Sequence, residues 1–246
     1  MSKVFTASKI RFAPVPAFNS LGIRPPAGRS RTCGRRSDDR DRPVHFFLDM
    51  SNIMIGAKTV AASKGEGPLR CSDVRVHFEN LRQFVQQDRV WGSGYAAAGL
   101  HRGEGVKAQA ESSGIQFEVC ELGCRSNTEQ GVDEMIIAKM AYKIFRQVAP
   151  NPPTPGVIVL ATGDGNGHLE GSGFLPALKA FHHLGFEIEV LSWRHSLNTA
   201  LGEWATQHGQ VIELDHWYEE LTYIEYGRQA KTRNELYRKL AQQRPV

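Results

Sequence analysis

Two short apolar runs limit what this chain can fold into. Val157-Ile-Val-Leu-Ala161 has no polar residue, and Val44-His-Phe-Phe-Leu-Asp49 is nearly as apolar and ends in an acid. Both are too short for a core helix and read as buried strands. Strand-like stretches recur at 94–98, 115–120, 186–191 and 211–214. Helical patterns lie between them, at 53–62, 74–88, 105–112, 131–148, 174–183 and 197–207. In 74–88 the apolar positions are Val74, Phe78, Leu81 and Val85; in 131–148, Val132, Ile136, Met140 and Ile144 recur every fourth residue. Strands alternating with helices over about 170 residues predict an α/β fold of three layers, a central parallel sheet flanked by helices on both faces.

The rest of the 246 residues divides around that domain, which the pattern places at 44–226. Residues 1–43 hold five prolines and ten Lys/Arg against three Asp, a net charge of +7. The remainder has 20 basic and 23 acidic residues, a net of −3. A basic, proline-rich tail that cannot bury enough apolar surface is expected to be disordered and suits attraction to a polyanion. Its lack of any acid before Asp38 also fits a mitochondrial presequence, although Pro14, Pro16, Pro25 and Pro26 limit helix there. Residues 227–246 read as a polar extension, frayed or forming an exposed helix. No apolar run reaches the roughly 18 residues a membrane span needs. Four scattered cysteines fit reduced thiols, hence an intracellular protein of cytoplasm or nucleus, with the mitochondrion as the alternative. Cys120 and Cys124 lack a second Cys/His pair at zinc-ligand spacing.

In open parallel sheets, ligands bind beyond the carboxyl ends of the strands. Asp49 ends the first strand, Asp164 follows Val157–Ala161 by three residues, and Asp133 opens the long helix that feeds that strand. Converging carboxylates repel, and a hard cation such as Mg²⁺ or Mn²⁺ relieves that repulsion. Each acid also has a plainer role. Asp49, with Ser51 and Asn52, suits a helix cap, Asp133 complements a helix dipole, and Asp164 suits a turn. The glycines of Gly163-Asp-Gly-Asn-Gly167 match neither the dinucleotide fingerprint nor the P-loop.

Leu48-Asp-Met-Ser-Asn-Ile53, Glu129-Gln-Gly-Val-Asp-Glu134, Ala161-Thr-Gly-Asp-Gly-Asn-Gly167, the 185–193 segment and Val211-Ile-Glu-Leu-Asp215 together resemble the NYN branch of the PIN-like nuclease superfamily, specifically the fungal NYN-domain proteins. The resemblance runs from about Val44 to Tyr223. It implies a metal-dependent ribonuclease, a hydrolase of RNA phosphodiester bonds, with Asp49, Asp133 and Asp164 holding Mg²⁺ or Mn²⁺ and Asn52 in the same pocket. Ser196 stands where the family keeps a polar residue near the site. Many PIN-like enzymes carry another acid two residues after the one matching Asp164, and here that position is Asn166. Glu134 or Glu170 can compensate, or sit as solvated acids. RNA is the implied partner, with Asn166, Ser196, Arg194 and Arg125 as candidate contacts and Arg102 and Lys107 beside them. The rival is a catalytically silent RNA-binding or scaffold module with a degenerate site, for which Asn166 speaks. The sequence leaves the oligomeric state open.

Overall fold

The computed structural model describes residues 41–66, 73–99, 103–120, 131–147, 149, 154–163 and 173–242. The tail through residue 40 lies outside them, as do Arg102, Arg125, Asp164, Asn166 and Glu170. Among the described residues, strands β1 (Val44–Asp49), β3 (Trp91–Gly99), β4 (Ile115–Cys120), β5 (Val157–Ala161), β6 (Glu187–Ser192) and β7 (Gln210–Glu213) form one sheet. Its order is β4-β3-β1-β5-β6-β7, and every pairing is parallel. Strands β2 (Val74–Val76) and β8 (Thr222–Ile224) form a separate antiparallel pair.

The apolar runs of the sequence are the middle of this sheet. Val44, Phe46 and Leu48 of β1, with Val157, Val159 and Ala161 of β5, join one core. It is completed by α1 (Met50–Ser63), α2 (Phe78–Gln86), α3 (Gly103–Ser112), α7 (Tyr218–Leu221) and α8 (Arg233–Gln242). Phe47, Ile158 and Leu160 point the other way, into a second core beneath α4 (Val132–Gln147), α5 (Phe174–His183) and α6 (Thr199–His208). Alternate side chains therefore feed opposite cores, so both strands must be apolar throughout. The predicted α/β architecture with a central parallel sheet between helical layers is the one observed.

Two local readings change. The helical spacing of 74–88 breaks at His77, whose ring Nδ1 accepts the Asn80 N–H at 3.1 Å and caps α2. Val74 consequently falls in β2, where it pairs with Ile224. The polar extension is a helix, but an anchored one, with Leu236 and Leu240 of α8 buried in the first core. It starts with a capping box: Glu235 Oε2 accepts the Thr232 N–H at 2.8 Å, and Thr232 Oγ1 accepts the Glu235 N–H at 3.4 Å. The Thr232 hydroxyl, donating to Glu235 Oε2 at 2.7 Å, and then the Thr232 N–H hold the Glu235 carboxyl below its ordinary range.

No helix among the described residues is long and apolar enough to cross a membrane. A buried ion pair joins the loop after α2 to β6. Arg89 donates from Nη1 to Glu189 Oε1 at 2.6 Å and from Nη2 to Oε2 at 3.1 Å, with the two residues only 5% and 7% exposed. Removing one partner strands a charge in the interior, which costs about 3–5 kcal/mol. Arg89→Met is expected to lose that much in urea unfolding, and Arg89→Met/Glu189→Leu to recover part of it. Equal losses for the single and double variants would show that the cost lies in packing.

Candidate active site

From β1 the chain builds the sheet outward through β3 and β4, then returns to the other side of β1 for β5, β6 and β7. Strand order therefore reverses between β1 and β5, and the crevice above their carboxyl ends is where this kind of sheet binds ligands. Asp49 is the last residue of β1 and the N-cap of α1. Its Oδ1 accepts the Asn52 backbone N–H at 3.0 Å, and its Oδ2 accepts the Thr162 hydroxyl at 3.1 Å from the end of β5. At 4% exposed, the carboxylate is held by both neighbouring segments.

Asn52 makes the second link. Its Oδ1 accepts the Gly163 N–H at 2.8 Å, fixing the first turn of α1 to the chain leaving β5. The Gly163 carbonyl in turn accepts the Asn198 N–H at 2.8 Å, while the Asn198 side chain caps α6. Ser196 belongs to the same knot. Its hydroxyl donates to the Trp193 carbonyl at 3.3 Å and lies 3.5 Å from the Ser192 hydroxyl. Position 163 has to be glycine for steric reasons, because a Cβ there would lie 2.4 Å from Ser196 Oγ and 2.8 Å from Asn52 Oδ1. Beneath the knot, Trp193 Nε1 donates to the Ile53 carbonyl at 2.8 Å and ties β6 to α1.

Asp133 enters from the neighbouring crossover. Gly131, at φ +106°, makes the left-handed turn that opens α4, and its carbonyl accepts the Cys120 thiol at 3.5 Å. That contact keeps the start of α4 at the carboxyl end of β4, so Asp133, in the first helical turn, stands on the same edge as Asp49. The structure thus links Asp49 to Asn52 directly, sets Ser196 against Gly163 beside them, and places Asp133 on their edge. Asp164, Asn166 and Arg125 lie outside the described residues.

Arg194 does not face an empty surface. Its guanidinium donates to Glu213 at 2.6 and 3.0 Å, and its backbone N–H donates to Asp215 at 2.8 Å. Lys107 is near Glu111, one helical turn on, at 3.8 Å. Thr162, Gly163 and Ser192 lie inside the quoted motifs but were given no role there, and Asn198 lies outside them. Thr162 was readable as the polar residue ending an otherwise apolar strand. Asn198 was readable as the cap of the following helix.

The donors here are carboxylate, amide and hydroxyl oxygens, the set that hard divalent cations prefer. Among the described residues, no three His, Cys, Asp or Glu side chains group as a metal-binding cluster, and Asp164 is not one of those residues. An open groove lined by His77, Gln109, Ser112 and Tyr223 contains none of the candidate residues.

No family model matches the chain, and no curated protein matches it. A solved structure of a protein of unknown function from Vibrio parahaemolyticus is similar with a TM-score of 0.46 and 13% sequence identity, over 72% of this chain and 94% of that one.

The knot predicts separable effects on stability. Asn caps a helix as well as Asp does, whereas Ala does not, so Asp49→Ala is expected to cost about 0.5–2 kcal/mol more than Asp49→Asn in metal-free buffer. Gly163→Ala must push Ser196 or Asn52 aside, at about 1–3 kcal/mol. Urea unfolding of the three variants measures both effects. Equal stability of Asp49→Ala and Asp49→Asn would mean that the cap bond contributes nothing.

Proposed function

We propose that this edge is the active site of a metal-dependent ribonuclease of the NYN, PIN-like kind, which hydrolyses RNA phosphodiester bonds. The observation that carries the reading is the placement of Asp49. It is a buried carboxylate at the switch point of a parallel sheet, positioned by Asn52 and Thr162 and standing on one edge with Asp133. The motifs that resemble the NYN proteins supply the third acid, Asp164, and the choice of RNA.

In this reading Asp49, Asp133 and Asp164 hold Mg²⁺ or Mn²⁺, and all three side chains offer the hard oxygens such ions take. The ion, when bound, supplies polarisation of a phosphoryl oxygen and a lowered pKa for the attacking water. The chain supplies preorganisation. Thr162 and the Asn52 amide fix the rotamer of Asp49, and the Asn52 side chain holds the turn from which Asp164 follows. Ser196 backs Gly163 closely enough that the turn cannot relax toward β6. Outer hydrogen bonds of this kind keep metal ligands aimed. Asn166 and Ser196 are the proposed substrate contacts. Arg125 is a third, and Arg194 is a weaker candidate because Glu213 and Asp215 already engage it.

Incubation with a mixed RNA pool and Mn²⁺ tests the reading. Cleavage is expected in the wild type and is expected to fall about 100-fold or more in Asp49→Asn, roughly 2.7 kcal/mol of barrier. Millimolar Mn²⁺ is also expected to raise the melting temperature, since an ion at 100 times its Kd stabilises the native state by about 2.7 kcal/mol. Asp49→Asn shrinks that rise. RNA binding with neither cleavage nor a metal-dependent melting shift would instead support the silent module.

Asn166→Asp separates an active site lacking one acid from a relic. Restoring the carboxylate adds a hard oxygen and a negative charge, so the Mn²⁺ concentration needed for half-maximal cleavage is expected to fall. A loss of activity would instead make Asn166 a working hydrogen-bond donor.

A further inference from the structure

The carboxy-terminal half of α4 lies away from the acidic edge, and its exposed side chains are aromatic and basic. Tyr142 is 63% and Phe145 74% exposed, three residues apart and so on one face of the helix. Arg146 follows, also exposed, and Lys143 is half-buried between the helix and β1. Neither cation has an ion pair among the described residues. Lys143 Nζ instead donates to His45 Nδ1 at 3.3 Å, and the same ring nitrogen lies 3.0 Å from Ser93 Oγ. The basic residue on the preceding turn differs, because Lys139 is neutralised by Glu118 at 2.6 Å.

We propose that this stretch of α4 is a platform for single-stranded RNA, with Tyr142 and Phe145 stacking on bases, Arg146 meeting phosphates and Lys143 adding its charge from behind. Charge complementarity selects the occupant. Burial, with Lys143 and Arg146 nearby, depresses the His45 pKa to about 4, so His45 is neutral at ordinary pH. Lys143 itself is lowered by burial and by Arg146. Two cations crowd together with no carboxylate paired to either, an arrangement that an incoming anion relieves. A second copy of the chain serves poorly, because a two-fold interface sets the same patch against itself, cation facing cation. Exposed rings beside unpaired cations are the combination that holds single strands, since every base has a face to stack. Twelve residues of helix separate Asp133 from Phe145, about 18 Å along the axis. The inference takes its choice of RNA from the ribonuclease reading, but the binding it describes requires no cleavage.

The test is fluorescence anisotropy of the full chain with a labelled, 2′-O-methylated single-stranded RNA of mixed sequence in EDTA, which prevents hydrolysis. Tyr142→Ala/Phe145→Ala is expected to weaken binding at least about fivefold. Its melting temperature should remain within a degree or two of wild type, because both rings are exposed. Phe145→Trp is expected to keep the affinity. Arg146→Gln is expected to lower the slope of log affinity against log salt by roughly 0.7. A fully paired RNA of equal length should show no loss in the double alanine variant, since its bases are already stacked. Wild-type affinity and salt slope in these variants overturn the platform, as does an equal loss on paired RNA. Anionic vesicle binding or self-association that the double variant abolishes, with RNA binding intact, also overturns it. Reduced RNA binding in a protein that never cleaves RNA leaves the platform standing and removes only the ribonuclease reading.

Discussion

Strand β1 is the constraint on which the rest of the molecule hangs. It pairs in parallel with β3 on one side and β5 on the other, and its side chains enter the two cores alternately. Inside such a strand a charge needs a buried partner, as Glu189 of β6 has in Arg89, while Asp49 stands where β1 leaves the sheet. The same enclosure excludes a hairpin and forces each crossover through a helix, which brings α1 directly off the end of β1. The position of Asp49 therefore follows from burial before any question of chemistry arises.

The hydrogen bonds around Asp49 then make the plain and the chemical readings of that residue compatible. One carboxylate oxygen caps α1 while the other takes the Thr162 hydroxyl, and the capping partner, Asn52, uses its own side chain to grip Gly163. A helix start, a strand end and the turn after β5 are thus locked by two side chains. A cap satisfies an orphan N–H at the helix start. Here it also removes the rotational freedom of a carboxylate at a switch point, which is what a ligand-binding acid requires.

How much of this was legible in the sequence depended on the range of the interactions. Val157–Ala161, Ile115–Cys120 and Phe174–His183 were readable to the residue, because burial on both faces or on one helical stripe writes itself directly into the pattern. Asp49 and Asn52 were readable for the same reason, standing at the junction of two such patterns. Val74 was misread as helical because its partner, Ile224, lies 150 residues away and no local periodicity records a two-strand pairing. The anchoring of α8 was missed although Thr232 and Glu235 spell a capping box, since a mean polar composition hides two leucines that reach a core. Ser196 was placed by resemblance alone. Its contact with Gly163 depends on how far β5 and β6 lie apart, which no spacing along the chain encodes.

The distribution of charge along α4 joins the two ends of the molecule. Asp133 and Glu134 lie in its first turn and Arg146 in its last, an order the helix dipole by itself favours. The dipole gives no reason, however, for Lys143 to turn inward onto an uncharged His45, nor for Tyr142 and Phe145 to stay in water. Dipole complementarity would be served as well by a lysine extended into solvent beside polar neighbours. A polyanion approaching this helix is repelled at its acidic start unless a cation stands there, and is attracted at its basic end without one. Under the proposed reading the two ends would respond differently to metal: binding at the basic end would persist in chelator, while engagement of the acidic edge would require the ion.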